Sequence, residues 1–221
     1  MASTPAPPPG PIIVRKYGGS SLADIDRLRA VARDLKSVRA AGNHLVVVVS
    51  AMGDTTDRLV AQARQVSPQP PRRELDMLLT VGERITMSLL CMALDAEGVP
   101  ALSLTGSQSG IITDASHNDA RILAVRPIRV PEALAAGKVV VVAGFQGVCG
   151  DTKEITTLGR GGSDTTAVAL AHALGAERCE ILKDVAGVMT ADPKLVPGAR
   201  RLEQLDYDTM QRLADGGCGV V

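Results

Sequence analysis

The segment TLGRGGSDTTAVALAHALGA, Thr157–Ala176, places a polar, glycine-rich loop directly before a strongly apolar stretch. Glycines let backbone amides approach an anion closely, and a helix that begins there adds partial positive charge. We expect Ser163 or Asp164 to cap this helix, and Arg160 to bind a carboxylate or phosphate through two hydrogen bonds. The apolar run Ala167–Leu174 predicts a helix that packs inside the domain and holds the loop in place.

The rest of the chain repeats this pattern of apolar run, polar loop and helix. Five short apolar runs predict buried strands, and these are Ile12–Val14, Leu45–Val49, Ala101–Leu104, Val139–Ala143 and Glu180–Leu182. Several are continuously aliphatic, as in a parallel sheet covered on both faces. Periodicity predicts helices over Ser21–Ala41, from about Glu74 to Ala96, and from after Ser163 to Gly175. The alternation predicts an α/β fold, a three-layer αβα sandwich with a mainly parallel central sheet.

A loop rich in glycine, serine, threonine and charge follows each predicted strand. The loops read KYGGSS, SAMGDTTD, TGSQSG, GFQG and KDVAG. Open parallel sheets bind their ligands outside the carboxyl ends of the strands, so we interpret the loops as parts of one shared site. Ordinary turn chemistry is the alternative, because turns are generally polar and glycine-rich.

Composition limits the organisation and the partners of the protein. The chain has 221 residues, of which 45% are apolar and 22% charged, with 24 basic and 24 acidic side chains. We expect a disordered Pro-rich tail over residues 1–11, without signal-peptide features, and one large domain over residues 12–221. Balanced charge, two tyrosines and one phenylalanine argue against a nucleic-acid partner. No apolar run of membrane-spanning length is present, and four widely spaced cysteines predict reduced thiols in the cytoplasm.

Two charged residues outside the glycine-rich loop are candidates for ligand binding. Lys16 follows the first strand and precedes Gly18–Ser20, where an ammonium beside bare amides could bridge nucleotide phosphates. A solvated lysine before a helix cap is the alternative. Glu83 lies among apolar residues in LLTVGERITMSLL, so its carboxylate requires a partner such as a substrate ammonium. An exposed ion pair with Arg84 is the alternative for Glu83.

Several common motifs are missing from the sequence. The chain has no G-x-x-x-x-G-K-[ST] loop, no G-x-G-x-x-G fingerprint and no metal-ligand spacing, so no residue is assigned to a metal. His44, His117 and His172 are isolated, and we interpret each as a surface or core residue.

Six motifs in a fixed order resemble the catalytic domain of the aspartate kinases, within the amino acid kinase family. They are KYGGSS, VVSAMGDTTD, ELDMLLTVGERIT, SLTGSQSGIITD, ITTLGRGGSDTTAVALA and DVAGVMTADPKLVPGARRL. The resemblance covers the chain from about Ile12 onward. It implies phosphorylation of the side-chain carboxylate of L-aspartate by ATP with Mg²⁺, giving 4-phospho-L-aspartate for lysine, threonine and methionine biosynthesis. It also implies a homo-oligomer.

The resemblance assigns roles to residues at matching positions. The implied catalytic residues are Lys16, Arg160 and Asp164. The implied contacts to the ATP phosphates are Lys16, Gly18, Gly19 and Ser20, and the implied nucleotide pocket contains Lys183, Asp184, Met189 and Lys194. The residues implied to frame the amino acid are Ser50, Thr56, Glu83, Phe145, Arg160, Ser163 and Asp164. Glu83 would bind the amine and Arg160 a carboxylate. The attacking carboxylate is already ionised near neutral pH, so catalysis consists mainly of bringing two anions together.

The chain departs from the family pattern at three positions. Lys183 stands where many relatives have threonine, and Ala186 where an acid or proline is usual. Relatives read GAKVLHP where this sequence reads GGCGVV, so Gly219 occupies the position of a lysine that reaches the nucleotide. From the sequence present we expect no feedback inhibition through ACT domains. A kinase for another small carboxylate and a ligand-binding protein without turnover remain alternatives.

Overall fold

The computed structural model describes residues 10–218, which form two compact units that meet in sequence between Leu182 and Lys183. Most of the predicted Pro-rich tail, residues 1–9, and the predicted substitution at Gly219 lie outside the described residues. The strands are β1 (Ile12–Tyr17), β2 (His44–Val49), β3 (Ala101–Leu104), β4 (Ile111–Thr113), β5 (Ile122–Val125), β6 (Val139–Ala143), β7 (Gln146–Cys149), β8 (Ile155–Thr157) and β9 (Arg178–Leu182). The helices are α1 (Ile25–Ala40), α2 (Thr55–Val66), α3 (Arg72–Ala96), α4 (Arg129–Ala135), α5 (Gly162–Leu174) and α6 (Tyr207–Asp215).

Five parallel strands form the central sheet of the first unit, in the order β3-β6-β2-β1-β9. These are the five strands that the apolar runs predict, so that prediction is confirmed. β1 lies between β2 and β9, with Lys16 opposite Val48 on one side and Ile181 on the other. Because all five strands run the same way, the loops after them leave from one edge of the sheet.

Helices cover both faces of the central sheet. Along β2, Leu45, Val47 and Val49 belong to a core formed with α1 and α3. Val46 and Val48 point to the opposite face and belong to a core formed with α4 and α5. This alternation follows from the two-residue period of a strand, and both faces are apolar because both are covered. The predicted three-layer αβα sandwich is confirmed.

A second, smaller sheet was not predicted. It has the order β5-β4-β7-β8, in which β4 and β7 run parallel and the two outer pairs run antiparallel. Each of its strands has only three or four residues, too few to show a clear alternation in the sequence. β8 lies at the edge of this sheet and leads directly into the glycine-rich loop before α5.

Helix beginnings differ from the predictions, whereas most helix ends agree with them. α1 begins at Ile25 and not near Ser21, because the Asp24 side chain accepts a hydrogen bond from Arg27 N at 2.8 Å and caps the helix. α5 begins at Gly162 after Gly161, whose φ is +79°. The expected cap at Ser163 or Asp164 is therefore wrong, since both residues already lie inside the helix.

α3 is, within residues 10–218, the one helix long and apolar enough to cross a membrane by length and composition alone. In the structure it packs against α1, β6 and β8 and carries the buried carboxylates of Asp76 and Glu83. Leu90 and Leu94 of α3 are fully buried in the core beneath the central sheet. Its apolar surface is thus used in packing of the kind expected for a core helix.

The second unit begins at Lys183 and consists mainly of loops around one helix. A single bridge pairs Met189 with Arg201 in the antiparallel sense. α6 is capped by Asp206, whose side chain accepts a hydrogen bond from Thr209 N at 2.6 Å.

Candidate active site

Lys16 forms a buried ion pair at the carboxyl end of β1. Its Nζ lies 2.6 Å from Oδ1 of Asp164, which belongs to the first turn of α5. The Lys16 residue is 7% exposed, so the alternative of a solvated lysine is wrong. A buried ammonium needs such a partner, because the Coulomb attraction offsets the cost of removing both charges from water. The pair holds a cation close to Gly18, where a Cβ would lie 3.6 Å from the ammonium.

The loops after β1 and β2 interlock beside this ion pair. Gly53 N donates a hydrogen bond to Gly19 O at 3.0 Å, and Ser50 N donates to Tyr17 O at 3.2 Å. A Cβ at Gly19 would lie 2.8 Å from the carbonyl oxygen of Ala51, so only glycine fits there without a shift of the backbone. The two polar loops therefore form one continuous surface at the edge of the sheet.

Glu83 places a buried carboxylate against the β2 loop. It is 3% exposed, and its Oε1 accepts a hydrogen bond from Ala51 N at 3.1 Å. Burial raises the pKa of the Glu83 carboxyl to about 7. Oε2 is buried and has no hydrogen-bond partner within residues 10–218. The alternative of an exposed ion pair with Arg84 is wrong, and the unpaired oxygen fits a cationic ligand group.

Gly82 allows α3 to approach the β2 loop closely enough for this contact. A Cβ at Gly82 would lie 2.7 Å from the Cβ of Ala51 and 3.5 Å from Cγ2 of Thr55. The helical glycine, which costs about 1 kcal/mol relative to alanine, is thus explained by close packing beside Glu83.

The loop after β6 packs on the beginning of α5. Phe145 has a φ of +67°, which is unusual for a residue with a side chain. Phe145 N donates a hydrogen bond to Thr166 Oγ1 at 3.2 Å, and Phe145 O accepts one from Leu158 N at 2.8 Å. A Cβ at Gly144 would lie 2.9 Å from Ser163 Oγ. These contacts hold the strained Phe145 backbone beside the glycine-rich loop.

The amino end of α5 has the properties of an anion site. Gly161, at the cap position of α5, has the left-handed conformation and has no side chain that could accept a hydrogen bond from the helix. The partial positive charge of the helix dipole therefore faces the loop. Arg160 precedes it and is exposed, and its guanidinium makes no hydrogen bond or ion pair with any residue of the 10–218 range. The loop therefore presents a cation and backbone amides together.

Contacts within the first unit bring most of the predicted residues together. The residues joined by these contacts are Lys16, Gly18, Gly19, Ser50, Glu83, Phe145, Ser163 and Asp164. Ser20 begins a short 3-10 turn after the loop. Thr56 is half-buried in α2, but its neighbour Thr55 is the residue that faces Gly82. The side chain of Thr55 and the amide of Ala51 were not predicted, because neither carries a charge that marks it in the sequence.

Four predicted nucleotide-binding residues belong to the second unit, and they are Lys183, Asp184, Met189 and Lys194. This unit contains a cavity of about 510 Å³, lined among others by Met189, Asp192, Arg212 and Cys218. Met189 is the predicted residue that lines it. Lys194 lies on the exposed turn beside it, where its backbone N donates a hydrogen bond to Asp192 Oδ1 at 2.8 Å.

A further buried carboxylate, Asp76 of α3, was not predicted from the sequence. It is 0% exposed and is surrounded by hydrogen-bond donors, including His117. The signal that identified Glu83, an acidic residue among apolar neighbours on a helix, would have identified Asp76 as well. Across the described part of the chain, no cluster of three or more His, Cys, Asp or Glu side chains could hold a metal ion.

Known proteins resemble this chain over nearly its whole length. It is 56% identical over 210 residues to the aspartokinase of Mycolicibacterium smegmatis, covering 95% of this chain and 50% of that protein. Among solved structures, aspartate kinase from Synechocystis superposes with a TM-score of 0.83 at 52% identity, over 95% of this chain and 34% of that one. E. coli aspartokinase III in complex with aspartate and ADP superposes with a TM-score of 0.77 at 26% identity, over 92% of this chain and 56% of that one.

The chain thus spans about half the length of the aspartokinase of Mycolicibacterium smegmatis. The model of the amino acid kinase family matches residues 11–221, which include every strand, helix and loop of the site described above. The chain belongs to the amino acid kinase family.

Proposed function

We propose that this chain carries the catalytic part of an aspartate kinase, which transfers the terminal phosphoryl group of ATP to the side-chain carboxylate of L-aspartate. The observation that supports the proposal is that contiguous contacts join Lys16 of β1, Glu83 of α3 and the amino end of α5. Two cationic features and one buried carboxylate suit a substrate with both anionic and ammonium groups. The similarity to proteins named aspartokinase supports this acceptor.

Each group at the site has one task in the proposed reaction. Glu83 binds the substrate ammonium through the carboxylate oxygen that lacks a partner within residues 10–218. Arg160 binds a substrate carboxylate, and Lys16 offsets negative charge on the transferred phosphoryl group. An oxygen of the ionised side-chain carboxylate attacks the terminal phosphorus, the bond to the bridging oxygen breaks, and ADP leaves. No proton has to be removed from the nucleophile, so positioning and charge compensation provide the rate enhancement.

Asp164 orients the side chain of Lys16 in the proposed reaction. The ion pair at 2.6 Å fixes the ammonium at the end of β1 and also ties it to α5, the helix that follows Arg160. In the proposal, Asp164 is therefore a catalytic-site residue that orients the lysine, while Ser50, Thr56, Phe145 and Ser163 frame the amino acid.

Within the first unit, the glycine loop is the proposed contact for the phosphates of ATP. Gly18, Gly19 and Ser20 would contact the phosphates, and glycines let the backbone of such a loop approach an anion closely. Lys183, Asp184, Met189 and Lys194 would form the nucleotide pocket. Mg²⁺ would accompany ATP on its phosphates, and no residue of the chain is assigned to it.

We extend the proposal to the setting of the enzyme. It would act as a cytoplasmic homo-oligomer in lysine, threonine and methionine biosynthesis, with residues 12–221 as one kinase domain. The four cysteines are free thiols, which is compatible with a reducing compartment.

An acceptor panel with a coupled assay for ADP release tests the proposed function. L-Aspartate, L-glutamate and N-acetyl-L-glutamate are compared at equal concentration with MgATP, with the Lys16→Ala variant as the control for catalysis. We expect ADP release with L-aspartate alone, and almost none from the variant. Equal release of ADP with L-glutamate would indicate that the acceptor is a small carboxylate other than L-aspartate. ATP binding without ADP release, unchanged in Lys16→Ala, would indicate a binding protein.

A further inference from the structure

Asp76 is the most completely hydrogen-bonded buried carboxylate in the described chain, and it lies about two helical turns before Glu83 on α3. Its Oδ2 lies 2.6 Å from His117 Nδ1. Its Oδ1 accepts hydrogen bonds from Asn118 N at 3.1 Å, from Asn118 Nδ2 at 2.5 Å and from Thr157 Oγ1 at 2.5 Å. A carboxylate with no exposure is tolerable only with such a set of donors.

These donors come from two segments that are distant in sequence. Thr157 ends β8, and residues 117–120, here named the 117–120 loop, precede β5. Ala120 N donates a hydrogen bond to Thr157 O at 3.0 Å, so this loop lies along β8. Asn118 has a φ of +64° and also donates from Nδ2 to Arg72 O at 3.1 Å. Asp76 therefore ties α3, the 117–120 loop and the end of β8 to one another.

The 117–120 loop also touches the glycine-rich loop itself. A Cβ at Gly159 would lie 2.7 Å from Oδ1 of Asp119, so the Asp119 side chain lies directly against the residue that precedes Arg160. Arg160 is exposed, and no described side chain holds its guanidinium. Its position must therefore come from the backbone on either side of it.

On one side that backbone is anchored by α5. On the other side it is anchored by β8, by the hydrogen bond from Leu158 N to Phe145 O and by the contact of Asp119 with Gly159. β8 has three residues and a single neighbour in its sheet, β7, because it lies at the edge. β8 is also held by a buried hydrogen bond between the hydroxyls of Thr156 and Thr113 at 2.6 Å, by the hydrogen bond from Ala120 N and by the bond from Thr157 to Asp76. The contacts of Ala120 and Asp76 are both made at Thr157, the last residue of this short edge strand, so their loss would loosen the backbone before Arg160.

We propose that Asp76 is a positioning residue for acceptor binding, which fixes the backbone before Arg160 through Thr157 and the 117–120 loop. The inference rests on the proposed function, in which Arg160 binds a carboxylate of the amino acid. We expect Asp76 to affect binding of the amino acid and not of the nucleotide, because Asp76 contacts the segments next to Arg160 and not the glycine loop after Lys16. The KM for L-aspartate therefore depends on Asp76, whereas the KM for ATP does not.

The test compares Asp76→Asn and His117→Ala with the wild-type chain. In Asp76→Asn, the amide group presents its own N–H toward donors, so at least one of the contacts is lost with little change in shape. His117→Ala removes one contact from a side chain that is 22% exposed, and it keeps the others. Asp95→Asn, an exposed position on the same helix, is the matched control for loss of an aspartate charge.

Two measurements are made on each variant. In steady-state kinetics we expect the KM for L-aspartate to rise roughly tenfold or more in Asp76→Asn, since a misplacement of ~1 Å can cost ~100-fold. The KM for MgATP changes less than about twofold, and His117→Ala shows a smaller change in the same direction. In hydrogen–deuterium exchange, the amides of residues 157–161 exchange faster in both variants, and those of α1 do not. Asp95→Asn matches the wild type in both measurements.

The outcomes separate this inference from the proposed function. An unchanged KM for L-aspartate, with only a lower fraction of active protein, would make Asp76 a packing residue and overturn the inference. If the wild-type chain phosphorylates no acceptor, the proposed function fails. The positioning role is then judged by hydrogen–deuterium exchange alone, and unchanged exchange at residues 157–161 in the two variants would overturn it. If Asp76→Asn does not fold, His117→Ala decides by the same two criteria.

Discussion

Lys16 Nζ lies 2.6 Å from Asp164 Oδ1, so an ion pair joins the end of the first strand to the first turn of the helix behind the glycine-rich loop. The strand supplies the cation of the site, and the helix supplies the amino end that faces an anion. Because both side chains are largely buried, removing one of them would leave the other as an uncompensated buried charge. The pair thus sets the spacing between the two halves of the site.

Replacing Lys16 by methionine removes the cation and keeps most of the side-chain volume. We expect kcat for ADP release to fall roughly 100- to 1,000-fold, as for the loss of one preorganised charge that stabilises a transition state. Lys138→Met is the control, since this exposed lysine lies before β6 at the opposite end of the sheet. A Lys16→Met enzyme that keeps more than a tenth of the wild-type kcat would remove Lys16 from its proposed task.

The buried carboxyl of Glu83 predicts a specific dependence of stability on pH. Its pKa is raised from 4.5 to about 7 in the folded chain, so the folded state binds the proton more tightly than the unfolded state. The stabilisation of the fold by protonated Glu83 is complete below pH 4.5 and is lost as the pH rises through 7. The loss amounts to about 3 kcal/mol at about 1.4 kcal/mol per pKa unit.

Glu83→Gln isolates this contribution, because glutamine keeps an oxygen for Ala51 N and does not titrate. We expect the wild-type free energy of unfolding to fall relative to that of Glu83→Gln between pH 4.5 and 7.5 in urea denaturation. Parallel curves for the two proteins over this range would show that Glu83 has an ordinary pKa.

Gly82 gives a prediction in which helix propensity and packing act in opposite directions. Alanine would stabilise the middle of α3 by about 1 kcal/mol on propensity alone. Its Cβ would, however, lie 2.7 Å from the Cβ of Ala51 and push the β2 loop away from Glu83. Overpacking of this kind costs about 1–3 kcal/mol, so we expect Gly82→Ala to lower both Tm and acceptor affinity.

Gly198→Ala is the control for this substitution. Nothing lies within 4 Å of a Cβ at Gly198, and its φ is not in the left-handed region. Its Tm should stay within about one degree of the wild type, as for a neutral surface change. A Gly82→Ala protein with a higher Tm than the wild type would show that α3 and Ala51 are not in close contact.

The central sheet could be predicted from the sequence because its strands are continuous aliphatic runs buried on both faces. Val139–Ala143, for example, is fully buried in the structure. The second sheet could not be predicted, since strands such as β4 and β8 have three residues and owe their pairing to partners far away in the chain. Local patterns carry no information about such partners.

The charged side chains of the candidate site could be predicted from the sequence, whereas the parts that depend on backbone geometry could not. Lys16 and Glu83 were identified because a charged residue beside a glycine loop or within an apolar run requires an explanation. The place of Asp164 in the site was implied by the family resemblance. The helix cap was predicted at the wrong residues, because Asp164 pairs with Lys16 and Gly161 takes the cap position. The amide of Ala51 is a backbone group, and the sequence gives no indication of its role.

Trapping of the acyl phosphate tests the central claim most directly. The wild-type chain and Arg160→Ala are incubated with L-aspartate, MgATP and hydroxylamine, and the hydroxamate is measured. An acyl phosphate of aspartate forms hydroxamate under these conditions, whereas ADP release from simple ATP hydrolysis does not. We expect ATP-dependent hydroxamate from the wild type and almost none from Arg160→Ala. Equal hydroxamate from both proteins, or none from the wild type, would contradict it.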